Sequence, residues 1–339
     1  FDTMRTCTAP FSITTNPGGA NCFEFVATGS RNASNGLICG NTGEIISPRR
    51  ALFSDASDGA VLIDQDTLLT ITTFPEFASD FVPFEGGLYV PSTKEFWVLR
   101  NGKLTVVEAI APYTKTMDYS FPDPYEGATT ICHNTTNNTV VYVWGPYDEL
   151  GFYNYKFTAW DIDTKMIVSD VSIGYATNAY TPVDLRYSPF TNCYYLAIDF
   201  DVKIFNSSFA EIGAITLPDY VTAHNISNVS NTLYVFSAPI CVNAYDLANG
   251  NALIKNFPFS AAPIMHGGID INEAGNRMAI PILTWPDTTS KIYLVNAETN
   301  EEICNVPSHS FNQINTAKFG TNRYFTIDTG GSTFDAYSY

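Results

Sequence analysis

Short apolar segments separated by polar turns run along almost the whole chain. Each segment is four to eight residues of aliphatic, β-branched and aromatic type, as in residues 139–144, 194–198 and 232–236. Clusters of Gly, Pro, Asn and Asp bound these segments, and the apolar residues show almost no helical period. Because β-strands have this length, composition and punctuation, the pattern predicts an all-β protein.

A strand that ends in Asp or Asn, followed by a short turn, recurs along the chain. The recurring positions are Asn41, Asn101, Asp161, Asn206, Asp246, Asn296 and Asp335. Their mean spacing is 49 residues, and a four-stranded propeller blade needs about 40–50. We therefore expect a single domain over residues 1–339, built from seven four-stranded blades that end near these positions. Ordinary hairpin turns in a sandwich, or in two smaller β domains, would explain the same positions.

The last predicted blade lacks its outermost strand, because the seventh recurrence lies close to Tyr339. We expect residues 4–8 to supply that strand. An N-terminal strand in this role would close the ring of blades and remove the exposed sheet edges.

In this repeat the chain resembles the β-propeller superfamily, in particular WD-repeat-like and quinoprotein-like seven-bladed propellers. Trp160-Asp161 matches the WD dipeptide, whereas the Gly-His pair that opens a WD repeat is missing. The resemblance covers the whole chain and implies a propeller fold. It identifies no catalytic residues, because no enzyme family's motif accompanies it.

Acidic residues outnumber basic ones, and this imbalance excludes several classes of partner. The chain has 34 Asp and Glu against 17 Lys and Arg, for a formal net charge of −17. Nucleic acid and anionic membrane surfaces would repel such a chain, and no run of Lys and Arg offsets the repulsion. No apolar stretch approaches the roughly 18–20 residues of a membrane helix, so we expect no membrane span.

Several features predict a secreted or cell-surface glycoprotein. Charged residues are only 15% of the chain, against about 25% in typical globular domains. The opening residues Phe1 to Met4 are those expected of a mature protein after signal-peptide cleavage. Six Asn-x-Ser/Thr sequons are candidate sites for N-linked glycans, two pairs of them in polar, turn-like stretches. The candidate acceptors are Asn32, Asn134, Asn137, Asn206, Asn225 and Asn228.

The seven cysteines favour disulfides over a zinc site, because none forms a CxxC motif or has a His at zinc-finger spacing. The pairs favoured by their places along the predicted blades are Cys22 with Cys39, Cys132 with Cys193, and Cys241 with Cys304. Many other pairings remain open. Cys7 is left over, either for a bridge to another chain or as a buried thiol, unless the pairing differs.

Few polar residues lie where a propeller's channel would form. His133, His224 and His266 fall in predicted innermost strands, but their different offsets argue against a shared metal site. His133 and His224 also precede sequon asparagines, which places them near solvated turns. The weak ligand candidates that remain are His266, Asp184, Arg186 and Asp328.

Other chemical motifs are absent or have a simpler explanation. The carboxylate pairs Asp64/Asp66 and Asp161/Asp163 are interpreted as turn residues, and Asp199/Asp201 as an outward-facing edge. There is no Gly-x-Ser-x-Gly elbow and no phosphate-binding loop. We therefore predict no catalytic residue, no metal and no cofactor.

These observations favour a non-enzymatic interaction or structural module outside the cell. Its expected partners are other extracellular proteins or copies of itself, in a coat, fibre or receptor assembly. Two alternatives remain: a secreted hydrolase or lyase with a site at the channel mouth, and a carbohydrate-binding lectin. The lectin would use Trp97, Trp144 or Trp285 as stacking platforms.

Overall fold

The structure of the chain is a computed structural model. It describes residues 22–30, 37–39, 49–55, 59–75, 77, 86–100, 102–121, 127–145, 154–175, 184–218, 220–237, 241–258, 263–264, 268–272, 276–284, 290–308, 314–320, 323–328 and 333–339. The chain forms two compact units, Phe1–Pro83 with Phe259–Tyr339, and Phe84–Pro258.

The first unit begins with five strands. They are β1 (Glu24–Ser30), β2 (Leu37–Cys39), β3 (Arg50–Asp55), β4 (Gly59–Asp64) and β5 (Thr70–Phe74). Strands β2 to β5 pair in chain order as an antiparallel sheet, which we call blade 1.

The second unit contains four such sheets. Blade 2 is β6 (Gly86–Val90), β7 (Glu95–Arg100), β8 (Lys103–Glu108) and β9 (Lys115–Ser120). Blade 3 is β10 (Gly127–Asn134), β11 (Thr139–Gly145), β12 (Asn154–Asp161) and β13 (Met166–Tyr175). Blade 4 is β14 (Asp184–Ser188), β15 (Cys193–Ile198), β16 (Asp201–Asn206) and β17 (Glu211–Thr216). Blade 5 is β18 (Val221–Ser227), β19 (Thr232–Ser237), β20 (Cys241–Asp246) and β21 (Ala252–Pro258), with a 3₁₀ turn at Leu247–Asn249.

The rest of the first unit holds two more blades. Blade 6 is β22 (Pro263–Ile264), β23 (Asp270–Asn272), β24 (Arg277–Thr284), β25 (Ser290–Asn296) and β26 (Glu301–Pro307), with β22 and β23 both paired to β24. Blade 7 is β27 (Ile314–Phe319), β28 (Tyr324–Asp328) and β29 (Thr333–Ser338), and β1 completes it. The predicted fold class, an all-β seven-bladed propeller of four-stranded blades completed by an N-terminal strand, is confirmed.

The strand that pairs with β29 is β1. Residues 4–8, which were expected in this place, lie outside the described residues. β1 pairs antiparallel with β29 from Glu24 to Ser30. Phe23 and Ala27 are buried there, and the Phe23 ring stacks on Tyr324 with their centroids 4.8 Å apart. This aromatic burial explains why this segment joins the sheet.

Four of the recurring Asp and Asn positions lie one strand earlier in their blades than expected. Asp161, Asn206, Asp246 and Asn296 each end the third strand and accept hydrogen bonds from backbone N–H groups of the next turn. They therefore shape the turn into the outermost strand rather than end the blade. Asp64 has this role in blade 1.

The other three expected positions are Asn41, Asn101 and Asp335. Asn41 and Asn101 lie outside the described residues. Asp335 is not in a turn, because it is fully buried within β29 and accepts a 2.6 Å hydrogen bond from Thr28 Oγ1 of β1.

The blades of the second unit pack face to face through apolar side chains. Tyr194, Leu196 and Ile198 of β15 pack against Val141, Val143 and Phe157 of blade 3. Their neighbours Tyr195 and Ala197 pack on the opposite face, against Leu233 and Val235 of blade 5. Successive side chains of a strand point to opposite faces, so one continuous apolar strand serves two blade interfaces.

The expected cysteine pairing is wrong at the residues that can be checked. Cys22 bonds to Cys304 of β26, with their Cα atoms 5.9 Å apart, because the segment leading into β1 packs against blade 6. Cys132 and Cys193 are free thiols. They cannot meet, since Cys132 packs between blades 3 and 4 and Cys193 between blades 4 and 5.

Two of the remaining cysteines lie in strands, and one lies outside the described residues. Cys39 is in β2 and Cys241 in β20, where only the backbone is described. Cys7 lies outside the described residues. Whether it bridges to another chain stays a prediction.

Candidate functional site

A polar cluster lies on the innermost strands of blades 3, 4 and 5, within the second unit. Asp184 and Arg186, two of the predicted candidates, are two residues apart on β14 and so share one face of the strand. Arg186 Nη1 lies 2.7 Å from Asp184 Oδ1. Arg186 Nε also donates to Asn225 Oδ1 of β18 at 3.2 Å. The guanidinium therefore links blade 4 to blade 5.

Thr130 of β10 joins blade 3 to the same carboxylate. Its hydroxyl donates to Asp184 Oδ1 at 3.3 Å and accepts from the Leu185 N–H at 2.9 Å. Asp184 is thus held by an ion pair and a hydroxyl. Its side chain is 23% exposed and that of Arg186 24% exposed, so solvent reaches both.

His224 of β18 also belongs to the cluster and is fully buried. Its Nε2 lies 3.0 Å from the Tyr195 carbonyl oxygen. A carbonyl only accepts, so Nε2 carries the proton in the neutral ring. The other nitrogen, Nδ1, then presents a lone pair to Asp184 Oδ2, 3.5 Å away. Two acceptors face each other, and Nδ1 makes no hydrogen bond to the described residues.

Burial sets the protonation of this cluster. It lowers the pKa of His224 to about 4, with Arg186 acting in the same direction and Asp184 in the opposite one. The ring is therefore neutral at pH 7. Burial also raises the pKa of the Cys132 thiol on β10 far above its ordinary value. That thiol stays protonated and is a poor nucleophile.

Together these groups link three blades through an ion pair and hydrogen bonds. One proton-accepting position, His224 Nδ1, is not used by a hydrogen bond to the described residues. A proton there would turn the facing acceptors into a donor and an acceptor. The arrangement holds charge in place and can take up a proton. The nitrogen that would accept that proton, His224 Nδ1, belongs to a fully buried ring and is shielded from solvent.

The remaining sequence candidates are not brought into this cluster. His266 lies outside the described residues, and Asp328 is in β28 with only its backbone described. His133 is partly exposed on β10, and burial lowers its pKa. No group of three His, Cys, Asp or Glu among the described residues could hold a metal ion.

The expectation that His224 lies near a solvated turn is wrong, because β18 continues through it. The neighbouring apolar residues Ala223 and Ile226, both buried, were the available signal. Asn134 likewise is fully buried, not solvated. Its Nδ2 donates to the Tyr194 hydroxyl at 2.6 Å, a bond that an N-linked glycan would displace.

The other sequon asparagines differ in exposure. Asn137 and Asn228 are exposed, Asn206 and Asn225 partly exposed, and Asn32 lies outside the described residues. Which sequons carry glycans stays a prediction.

The tryptophans proposed as sugar platforms are core residues where they are described. Trp97 is fully buried and Trp144 nearly so. Their ring faces are also occupied, by Lys165 Nζ at 4.9 Å and Lys156 Nζ at 4.8 Å from the centroids. Trp285 lies outside the described residues. Neither of the two described rings is free to stack on a sugar.

Large aliphatic side chains are exposed at the start of the outermost strands of blades 3, 4 and 5. Their exposed fractions run from 41% to 65%. They are Met166, Ile167 and Val168 of β13, Ile212 of β17, and Leu253 and Ile254 of β21. Blade 2 has Lys115 and Thr116 at the corresponding place. Sequence analysis missed this feature, because each residue continues an ordinary strand pattern.

A cavity of about 290 Å³ opens beside β17. Its lining includes Ile204, Ile212 and Ala214 of blade 4 and Leu247 of blade 5. Two further lining residues, Cys193 and Tyr195, come from β15. The exposed aliphatic residues and the cavity thus meet at Ile212.

No model of a known protein family matches the chain, and no curated protein sequence matches it. Among the described residues, no helix is long and apolar enough to cross a membrane.

Proposed function

We propose that the protein is an extracellular, non-enzymatic interaction module that binds a partner protein through the outermost strands of blades 3, 4 and 5. The observation that carries the proposal is the set of six exposed aliphatic side chains on β13, β17 and β21. We call this set the aliphatic rim. A single exposed aliphatic residue is ordinary, but several together favour burial against another protein.

Position along the strands strengthens this argument. The rim residues occupy the first three positions of three successive outermost strands. Blade 6 has Glu301 and Glu302 at these positions, both exposed, and blade 2 has Lys115 and Thr116. Aliphatic residues are therefore a property of particular blades and not of the repeat.

The polar cluster supports a structural role for the residues most suited to catalysis. Asp184 is paired with Arg186, His224 is neutral and buried, and Cys132 is protonated. Each group acts on a neighbour within the cluster. We infer that it holds the innermost strands together.

The Cys22–Cys304 disulfide supports the extracellular setting, because disulfides persist in oxidising compartments. The net charge of −17 favours a basic partner over a second copy of this chain.

Site-specific photo-cross-linking tests the proposal. A benzophenone amino acid is placed at Ile167, Ile212 or Ile254, and at Lys115 as the matched position on blade 2. The proteins are irradiated in the extracellular fluid of the cells that make them. We expect one protein partner to cross-link from the rim positions and not from Lys115. Equal cross-linking at all four positions, or none, would overturn the proposal.

A second measurement tests the non-enzymatic part. The protein and its Asp184→Asn variant are assayed against panels of glycosides and small esters. We expect no turnover by either protein. Turnover that the substitution abolishes would establish the hydrolase alternative instead.

A further inference from the structure

We propose that the free edge of β17 and the cavity beside it bind an extended, basic peptide segment of a partner protein, with one aliphatic side chain in the cavity. This inference rests on the proposed function and specifies the chemistry of the partner. The strand, the cavity, the backbone and the charge each support it.

β17 is an edge strand open to pairing. It pairs with β16 on one side, and on the other side it pairs with no strand in the described part of the chain. Every residue from Glu211 to Thr216 is exposed except Ile215, which is half-buried. An edge strand presents unpaired N–H and C=O groups, and an extended peptide can add to it as a further strand.

The cavity selects an aliphatic side chain. Three of its polar lining residues already bond to one another: the Thr191 hydroxyl lies 3.2 Å from the Tyr195 hydroxyl, and the Cys193 thiol donates to the Thr191 carbonyl at 3.2 Å. Besides Asn251, the lining offers a ligand mainly the aliphatic surface of Ile204, Ile212 and Leu247. A volume of about 290 Å³ is at the lower limit for a small-molecule site and suits one or two side chains.

Gly213 leaves the backbone at the centre of this edge accessible. It lines the cavity, and a Cβ built on it would have no heavy atom within 4 Å. Glycine within a strand often marks a close approach of another backbone. The same open space allows a large side chain to be introduced there as a block.

Charge indicates a basic segment. Glu211 at the start of β17 is exposed, and Lys203 Nζ lies 3.1 Å from its carboxylate, so these two charges offset each other and the acidic excess is that of the whole chain. At the other end of the strand, the half-buried Asp201 carboxylate accepts a 2.6 Å hydrogen bond from the Thr216 hydroxyl. With a net charge of −17 on each chain, a second copy would be repelled, whereas Lys or Arg beside the aliphatic residue would be attracted. β13 and β21 are likewise edge strands of their own sheets, but the cavity lies beside β17.

Defined peptides test this inference. The probe is a fluorescein-labelled series, Lys-Thr-Thr-X-Thr-Thr-Lys, with X as Ile, Leu, Ala or Asp. We expect the Ile or Leu peptide to bind at least tenfold more tightly than the Ala and Asp peptides in fluorescence polarisation. We expect binding to weaken as salt is added and hydrogen exchange of the β17 amides to slow in the complex.

Two variants locate the site. Gly213→Trp fills the cavity, and Ile212→Lys removes an aliphatic wall and repels a basic peptide. Each should weaken binding at least tenfold, with the thermal midpoint unchanged. Lys115→Ala on blade 2 should bind as the natural chain does. The inference would be overturned if affinity did not depend on residue X, or if both variants bound the peptide as tightly as the natural chain. It would also be overturned if hydrogen exchange of the β17 amides did not change, or if no peptide of the series bound.

The two proposals fail separately. A partner cross-linked from Ile167 or Ile254, combined with no peptide binding at β17, would retain the proposed function and reject this inference. Failure of cross-linking at every rim position would reject both.

Discussion

His224 and Asp184 face each other with Nδ1 3.5 Å from Oδ2, while the other ring nitrogen of His224 is 3.0 Å from the Tyr195 carbonyl oxygen. The neutral ring can satisfy only the carbonyl. Protonation would satisfy both contacts, yet burial lowers the pKa of His224 to about 4 from an ordinary 6.5. Protein stability should therefore respond to this one side chain at acidic pH.

The first prediction concerns that pH dependence. Between pH 6.5 and 4, the unfolded chain binds a proton at His224 that the folded chain does not, so the free energy of unfolding falls as the pH falls. The full effect is about 3 kcal/mol. Denaturant titrations across this range should show it as a slope that His224→Gln reduces. His133→Gln is the control and should keep the His224 contribution. An unchanged slope in His224→Gln would contradict the prediction.

The second prediction concerns the tie between blades. Asp184→Asn removes the carboxylate that holds Arg186 and leaves a partly buried guanidinium without its charge partner. Because both side chains are about one-quarter exposed, we expect a loss of about 1–2 kcal/mol rather than the larger cost of a fully buried pair. Asp66→Asn is the matched control, since the Asp66 carboxylate that pairs with Arg49 is 46% exposed, against 23% for Asp184. It should change stability by less than about 0.5 kcal/mol. Equal effects of the two substitutions would refute the assigned role of the cluster.

The third prediction concerns the disulfide. Replacing Cys22 and Cys304 together by serine removes a cross-link between residues 282 positions apart, and we expect a loss of about 2–5 kcal/mol. Reductant should lower the thermal midpoint of the natural chain and leave the double variant unaffected. A non-reducing digest should yield the Cys22 peptide bonded to the Cys304 peptide. A Cys22–Cys39 peptide in its place would mean that the pairing assigned here is wrong.

The fourth prediction concerns Gly320, which lies against the Gln65 side chain in the first unit. A Cβ on Gly320 would overlap the Gln65 amide, and Gln65 itself donates to the Arg50 carbonyl at 2.5 Å. Gly320→Ala should therefore cost about 1–3 kcal/mol. Gly213→Ala is the matched control and should be neutral or slightly stabilising, because its Cβ meets open space. In a double-mutant cycle, Gln65→Ala should relieve part of the Gly320→Ala cost.

The fold class could be predicted from sequence because propeller blades repeat a local pattern. Strand composition and the turn residues Asp161, Asn206, Asp246 and Asn296 report on neighbours close along the chain. Which strand of the blade each of these turn residues ends could not be predicted this way. An Asp before a turn has the same appearance whether one strand or none follows it in the blade, and Asp335 shows that an Asp can occupy a strand interior.

Contacts between segments that are far apart along the chain could not be predicted from the sequence. Asp184 and Arg186 could be selected because they are polar residues in an apolar strand two positions apart. His224 could not be joined to them, since its approach to Asp184 depends on how blades 4 and 5 pack. The Cys22–Cys304 bond likewise depends on β1 joining blade 7 beside blade 6, which no local spacing encodes.

The Cys22–Cys304 bond also determines how tension would pass through the polypeptide. A pull applied before Cys22 and after Cys304 travels through the sulfur–sulfur bond and bypasses the 282-residue separation between them. Among the described strands, only β27, β28 and β29 lie wholly outside the loop that the bond closes, and these could be drawn out while it is intact. Force therefore passes through the disulfide and not through blades 1 to 5, and these blades carry load only after a reductant opens the bond.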